Sequence, residues 1–187
     1  MGIKTFSQRL DVSDLPRYSV QDWETWEGKW ELIEGIPFSM SAMPTHKHQR
    51  ISGKLFRQFD EILEDCPDCQ VHLPINFRIN DNNVVHPDLL VVCNAEKDPL
   101  YLTKLPNVVV EIVSKSSVRH DTKTKPKLYG SLGIKYYVII KPLKELVQVF
   151  IVNKEGKYNL DKEGKNFNYL FQTEECPINF DFSKIWK

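Results

Sequence analysis

Residues 84–114 read VVHPDLLVVCNAEKDPLYLTKLPNVVVEIVS, and the two ends of this stretch decide the fold. Residues 107–114 (NVVVEIVS) are a short, nearly continuous apolar run, the pattern of a strand buried on both faces. Residues 84–93 (VVHPDLLVVC) read as a second strand. It is entered from residues 71–79, where Val71, Leu73, Ile75, Phe77 and Ile79 alternate as in a half-buried strand. Asn80, Asp81, Asn82 and Asn83 make the turn between them. Each apolar run holds one misfit. Glu111 is the only ionisable residue of its run, and its side chain shares a face with Val109 and Val113. Asp88 lies between Pro87 and the apolar residues 89–93. Burying a lone carboxylate costs several kcal/mol unless a cation or good hydrogen bonds compensate. A single acid of this kind is best explained by a strand end that meets solvent or a lysine. Two of them suggest a shared divalent cation.

Outward from these strands, residues 18–26 (YSVQDWETW) read as a short helix capped by Ser19. Residues 30–41 form a hairpin around Glu34 and Gly35. Thr45 caps a helix whose apolar face is Ile51, Leu55, Phe59, Ile62 and Leu63. Downstream, a helix over about residues 124–132 stops at Gly133, and strands follow at 136–140 and 146–152. Beyond residue 153 the chain is rich in turns, ending in one candidate strand and Trp186. Strands and helices mix without regular alternation. The fold class is therefore α/β in the α+β sense, a central mixed sheet flanked by helices rather than a doubly wound one. One domain over residues 1–187 is expected, with a core at about 18–152 and a C-terminal extension at 153–187.

Composition sets wide bounds. The chain has 187 residues, 41% hydrophobic and 27% charged, enough to bury a real core without staples. No run is long enough for a transmembrane helix, and MGIKTFSQRLDV at the N-terminus lacks a signal peptide's apolar stretch. The reading is cytoplasmic, so the four cysteines are expected as thiols. Cys66 and Cys69 form a CxxC, but this supplies two of four zinc ligands and no second pair follows at ligand spacing. Two loop thiols is the plainer reading.

The 25 basic and 25 acidic side chains cancel, which removes any global attraction to a polyanion. A nucleic-acid ligand needs a local basic surface. Lys115, Arg119, Lys123, Lys125, Lys127 and Lys135 supply one, against the single acid Asp121. A solvated lysine-rich helix explains that run equally well taken alone. It gains weight from directly following the two carboxylates.

A Pro-Asp at the head of one strand, an acid in the next and a basic helix after it resemble the PD-(D/E)XK nuclease superfamily. The elements here are His86-Pro87-Asp88 and Glu111-Ile112-Val113. More of the chain resembles one bacterial family within it, the Uma-two type of restriction endonuclease-like proteins. The resemblance rests on WELIEG (30–35), MSAMPTHKHQRISGKL (40–55), HPDLLVV (86–92), VVVEIVSKSS (108–117) and GIKYYVIIKP (133–142). The spacing of Asp121, Lys125 and Tyr129 adds to it. Each motif is weak alone; their order over residues 18–152 makes the match specific.

That resemblance implies a restriction endonuclease-like core, a homodimer, and metal-dependent cleavage of DNA. Asp88, Glu111 and the Ile112 carbonyl would hold Mg²⁺ or Mn²⁺. His48, where the family also shows a histidine, could bind phosphate or polarise a water, or equally serve as a surface or capping residue. Glu31 could be a third acid near the metal or simply pair with a basic neighbour, and Lys115, Arg119, Lys123 and Lys127 would contact nucleic acid. The superfamily's lysine position is Val113 here, which carries no charge. In the family that lysine has moved to the following helix, and Lys125 matches it, with Lys123 and Lys127 as substitutes. Lys141 and Val138 stand where the family shows an acid and a tryptophan. The alternative, from a different class, is a non-catalytic nucleic-acid-binding or interaction module that keeps the fold.

Overall fold

A computed structural model describes residues 15–40, 43–96 and 100–187. The N-terminal stretch read above for a signal segment, and residue 41 of the hairpin, lie outside them. The elements are α1 (Val20–Trp23), β1 (Trp30–Ile33), β2 (Ile36–Ser39), α2 (His46–Leu63), β3 (Cys69–His72), β4 (Phe77–Asn80) and β5 (Asn83–Val85). They continue with β6 (Leu89–Cys93), β7 (Val108–Ile112), α3 (Lys125–Ser131), β8 (Tyr136–Lys141), β9 (Leu146–Val152), β10 (Tyr158–Gly164), β11 (Asn168–Gln172) and β12 (Pro177–Asp181). No helix among the described residues is long and apolar enough to cross a membrane.

The predicted caps form. Ser19 and Asp22 make a reciprocal capping box on α1, and the Thr45 hydroxyl accepts the His48 amide at the head of α2. Glu34 and Gly35 both take positive φ, as a two-residue hairpin turn requires.

Two expected strands are each broken in half. Residues 71–79 and 84–93 form one long hairpin, but Pro74 and Pro87 interrupt it at matching heights. The upper half, β3 with β6, belongs to a six-stranded sheet of order β10-β9-β8-β7-β6-β3. The lower half, β4 with β5, belongs to a four-stranded antiparallel sheet of order β2-β1-β5-β4. Proline has no N–H to give a ladder, so the hairpin bends where the prolines stand. Alternation of apolar side chains continues across such a bend, which is why it conceals the break. The bend matters for the site: Asp88 emerges from the corner that Pro87 creates.

β7 sits inside the six-stranded sheet, antiparallel to β6 and parallel to β8, and all five of its residues are buried. Its two faces see different partners. Val108, Val110 and Ile112 face α2, through Ile51, Leu55 and Phe59. Val109 faces the other way, toward Tyr129, Ile134 and Tyr137, and Glu111 follows it by the two-residue period. The sheet is mixed and flanked by helices, as expected.

The chain beyond residue 152 packs into the same core. Residues 153–187 contain three strands, and Tyr169, Phe171, Ile178, Phe180, Phe182 and Ile185 are buried in the same core cluster as α2. Apolar spacing in β11 and β12 is strictly alternate, but only two inward residues per strand fall between turns, too few to stand out. The cysteine reading is corrected. Cys66 is disulfide-bonded to Cys176 and Cys69 to Cys93. Their partners are 110 and 24 residues away, and only the fold brings them together.

The pose of α3 is set by a backbone contact. A Cβ on Gly130 would meet the Gly156 carbonyl oxygen at 2.2 Å, whereas one on Gly53 in α2 would meet nothing within 4 Å. Gly130→Ala is therefore expected to cost about 1–3 kcal/mol of overpacking. Gly53→Ala should stabilise by about 0.5–1 kcal/mol, since glycine is entropically costly in a helix. Denaturant titration of the two variants checks this; a neutral Gly130→Ala would mean that α3 is free to shift.

A carboxylate-rich candidate active site

The pairing of Leu89 with Val110 and Leu90 with Val109, continued one step, sets Asp88 opposite Glu111. The Ile112 amide donates to Asp88 Oδ2 at 2.7 Å, which ties the two strand ends together. His48, one turn into α2, reaches the same place from the other side of the sheet and puts Nε2 3.2 Å from Asp88 Oδ1. These two side chains keep about a fifth of their surface exposed, so this flank is open to solvent.

Behind Asp88 the site is closed. Lys125 is 3% exposed, and its Nζ lies 2.8 Å from Glu31 Oε1, 2.9 Å from Glu111 Oε1 and 3.6 Å from Asp121 Oδ1. The Tyr129 hydroxyl donates to Glu111 Oε1 at 3.3 Å. Glu31 comes from β1 in the smaller sheet. Its Oε1 also accepts the His86 amide, and its Oε2 lies 2.8 Å from His120 Nε2. Glu31 thereby joins the two sheets across the corner made by His86 and Pro87.

Local structure explains why one short helix delivers so many groups. The crossover from β7 to β8 begins with a π-helical turn, His120–Thr124, in which the Lys125 amide reaches back five residues to the His120 carbonyl. Pro126 has no N–H, so the Asp121 carbonyl gets no donor from it. The Tyr137 hydroxyl takes that place, donating to Asp121 O at 2.7 Å. The turn points His120 and Asp121 inward together, and Lys125 and Tyr129 follow on the same face. Arg119, Lys123 and Lys127 are exposed on the outer face, as is Lys115 ahead of the turn.

Charge balance within this cluster is unequal. Burial works to raise Glu31, but the Lys125 charge and hydrogen bonds from His120, Lys125 and His86 overcome it and hold its carboxyl at about 2. Glu111 goes the other way. Burial raises it well above the usual carboxylate range, and Asp121, Asp88 and Glu31 add repulsion that Lys125 does not offset. Burial raises Asp121 as well. For His48, burial opposes protonation, yet the hydrogen bond and charge of Asp88 leave it raised. Glu31, Glu111 and Asp121 thus share one lysine, while Asp88 pairs with His48.

Of the residues expected from sequence, Asp88, Glu111, Lys125, His48 and Glu31 are brought together, and the Ile112 backbone is beside them. Lys123 and Lys127 are not in the cluster. Asp121, His120 and Tyr129 were not expected in it. The spacing of Asp121, Lys125 and Tyr129 at four-residue intervals was the available signal, since it places three polar side chains on one helix face.

The donors suit a hard ion: two carboxylates and a carbonyl, with no sulfur or imidazole nitrogen required. Among the described residues, no three acids, histidines or cysteines at this site have ligand atoms all within 4.8 Å of one another. A partly hydrated Mg²⁺ or Mn²⁺ needs no such set.

Comparison with known proteins agrees with this architecture. Residues 15–177 match the family model Uma2, described as putative restriction endonuclease. The crystal structure of a putative nuclease of the DUF820 group from Anabaena variabilis ATCC 29413 superposes with a TM-score of 0.71. The alignment covers 90% of this chain and 97% of that one at 14% identity, a likeness of fold. No curated protein matches the sequence.

Proposed function

Because the chain belongs to the Uma2 family of restriction endonuclease-like proteins, we propose that it is an endonuclease that hydrolyses DNA phosphodiester bonds with Mg²⁺ or Mn²⁺. The observation that carries this reading is Glu111, buried with Glu31 and Asp121 around one shared lysine, at the strand end where Asp88 and the Ile112 backbone also lie. Asp88, Glu111 and the Ile112 carbonyl would hold the ion. It would make a nearby water more acidic and polarise a phosphate oxygen.

The chain's own residues divide the remaining work. Lys125 places its ammonium against Glu111, where it can stabilise the negative charge a phosphodiester gains in the transition state. Glu31 and Asp121 hold that ammonium in place. His48, on the open flank beside Asp88, is positioned to orient a water or to donate to a phosphate oxygen. His120 fixes Glu31 and is itself packed against Phe38, with ring centres 4.5 Å apart. Lys115, Arg119, Lys123 and Lys127 are exposed and free to contact phosphates outside the site.

A cleavage assay on DNA and RNA with Mg²⁺, Mn²⁺ or a chelator tests this. DNA cleavage that the chelator stops and Asp88→Ala abolishes is the expected result. Cleavage of RNA alone would move the substrate class. Binding without cleavage of either would establish the non-catalytic module.

A further inference from the structure

At the rim of the carboxylate cluster, one lysine presents an ammonium that no carboxylate cancels. β7 and β8 run parallel, with Glu111 beside Ile139 and Ile112 beside Ile140. One step further, Val113 stands beside Lys141, the last residue of β8. The two-residue period puts Lys141 on the face of Ile139, which is also the face of Glu111 and Val113. Neighbouring strands lie about 4.8 Å apart and two residues rise about 6.6 Å, so the Cα atoms of Lys141 and Glu111 are about 8 Å apart. A lysine's flexible four-carbon stem and a phosphate can bridge that gap.

What holds this lysine is neutral. Lys141 is half-buried, and its Nζ donates to Gln148 Oε1 at 2.6 Å. Gln148 Nε2 donates in turn to the Glu163 carboxylate, which leaves the amide oxygen aimed at Lys141. Gln148 lies opposite Ile139 on β9, and Glu163 lies opposite Gln148 on β10, so the three side chains form a row over three neighbouring strands. An amide oxygen fixes the ammonium in place and leaves its charge uncompensated. Among the described residues no carboxylate pairs with it directly. Lys47 and Lys165, by contrast, both meet Glu145 in the turn after β8, and Lys125 is already matched by three acids. An ammonium has three donors, so two remain beyond the one that Gln148 accepts.

We propose that Lys141, held by Gln148, binds the nucleic-acid backbone phosphate that adjoins the one at the metal site. The inference rests on the nuclease reading given above and adds a substrate contact to it. A phosphate at Asp88 and Glu111 sits where β7 ends, with β6 on one side and β8 on the other. The backbone leading away from Asp88 passes over the end of β8, where Lys141 stands. Lys125 works from beneath, on Glu111; Lys141 works one strand aside, on the flanking phosphate. A contact of that kind is made equally in the ground state and the transition state, so it lowers KM and leaves kcat alone.

The test measures binding of a short DNA duplex by the full chain at several salt concentrations, with Ca²⁺ in place of Mg²⁺. Lys141→Met should weaken binding about fivefold to tenfold near 0.1 M salt and flatten the slope of log affinity against log salt by about 1, the share of one phosphate contact. Lys141→Arg keeps the charge and should keep the slope. Lys157, paired with Glu155 at the far end of β9, is the control for net charge, and Lys157→Met should change neither quantity. In cleavage with Mg²⁺, Lys141→Met should raise KM by the same factor and change kcat less than about twofold. A wild-type protein that binds DNA and cuts none removes the nuclease reading, while the salt slope still decides the Lys141 contact. An unchanged slope in Lys141→Met overturns the proposal, as does an equal loss in Lys157→Met. A fall in kcat with affinity and slope unchanged overturns it too, since that would make Lys141 a structural support alone. Wild-type protein that binds no DNA overturns the proposal and the nuclease reading together.

Discussion

Lys125→Met is expected to cut turnover by about two to three powers of ten and to destabilise the fold by about 3–5 kcal/mol. Both effects follow from where the ammonium lies. It is buried between Glu31 and Glu111, 2.8 and 2.9 Å away, with Asp121 at 3.6 Å. Removing it leaves three buried carboxylates without their counter-charge, the situation in which breaking an ion pair costs most. The catalytic loss comes from the charge that Lys125 presents beside Glu111. Separating the two requires turnover to be measured at a temperature where the variant remains folded by circular dichroism.

The stability loss carries a pH signature. Glu31 is held at about 2 in the folded protein against an ordinary 4.5. A carboxyl depressed in this way stabilises the fold above its unfolded pKa, and the stabilisation fades as pH falls through the folded one. At about 1.4 kcal/mol per unit, this contribution is about 3 kcal/mol at neutral pH. Lys125 supplies much of it, so the gap between wild type and Lys125→Met should be widest near neutrality. It should narrow as pH falls from about 4.5 toward 2. Lys123→Met and Lys127→Met, both exposed, should stay within about 0.5 kcal/mol of wild type. Val113→Lys in the Lys125→Met background tests the position directly. Val113 shares a face with Glu111, so a lysine there should restore part of the rate. Full turnover in folded Lys125→Met would remove the lysine from the mechanism.

Sequence reading reached the centre of the molecule and missed its edges for one reason. Side-chain pattern reports burial, and burial is local. Val109, Glu111 and Val113 on one face, and Asp88 after Pro87, were legible because a charge in an apolar strand violates the pattern. Lys125 was legible only through the family resemblance, since a lysine in a basic run looks solvated. It is buried because the π-helical turn rotates it inward, and no residue preference announces that turn. Pro74 and Pro87 stood in plain view, yet the alternation of Val71, Leu73, Ile75 and Phe77 overrode the first. Which sheet a strand joins is a long-range fact. The same holds for Cys176, whose partner is 110 residues away, and for Phe171 and Phe180, which complete a core begun by Phe59.

Glu111→Gln should abolish Mn²⁺ binding at the carboxylate cluster and lower turnover by at least about three powers of ten, while leaving the fold intact. The amide matches the carboxylate in shape and keeps an oxygen for the Lys125 ammonium and the Tyr129 hydroxyl. Lys125 retains Glu31 and Asp121 as counter-charges, so stability should stay within about 1 kcal/mol of wild type. What the variant lacks is the negative charge. Several kcal/mol of charge stabilisation by a bound ion correspond to about a thousandfold or more in rate. The charge is also why binding should depend on pH. Burial and three neighbouring carboxylates raise Glu111, so a proton competes with the ion for it. Affinity for Mn²⁺ should therefore increase with pH until Glu111 is fully ionised, and each binding event should release protons below that point. Calorimetry in two buffers of different ionisation enthalpy counts those protons. Heat of the same size and the same buffer dependence in wild type and Glu111→Gln would place the ion elsewhere. It would leave Glu111 as the acidic partner of Lys125 alone.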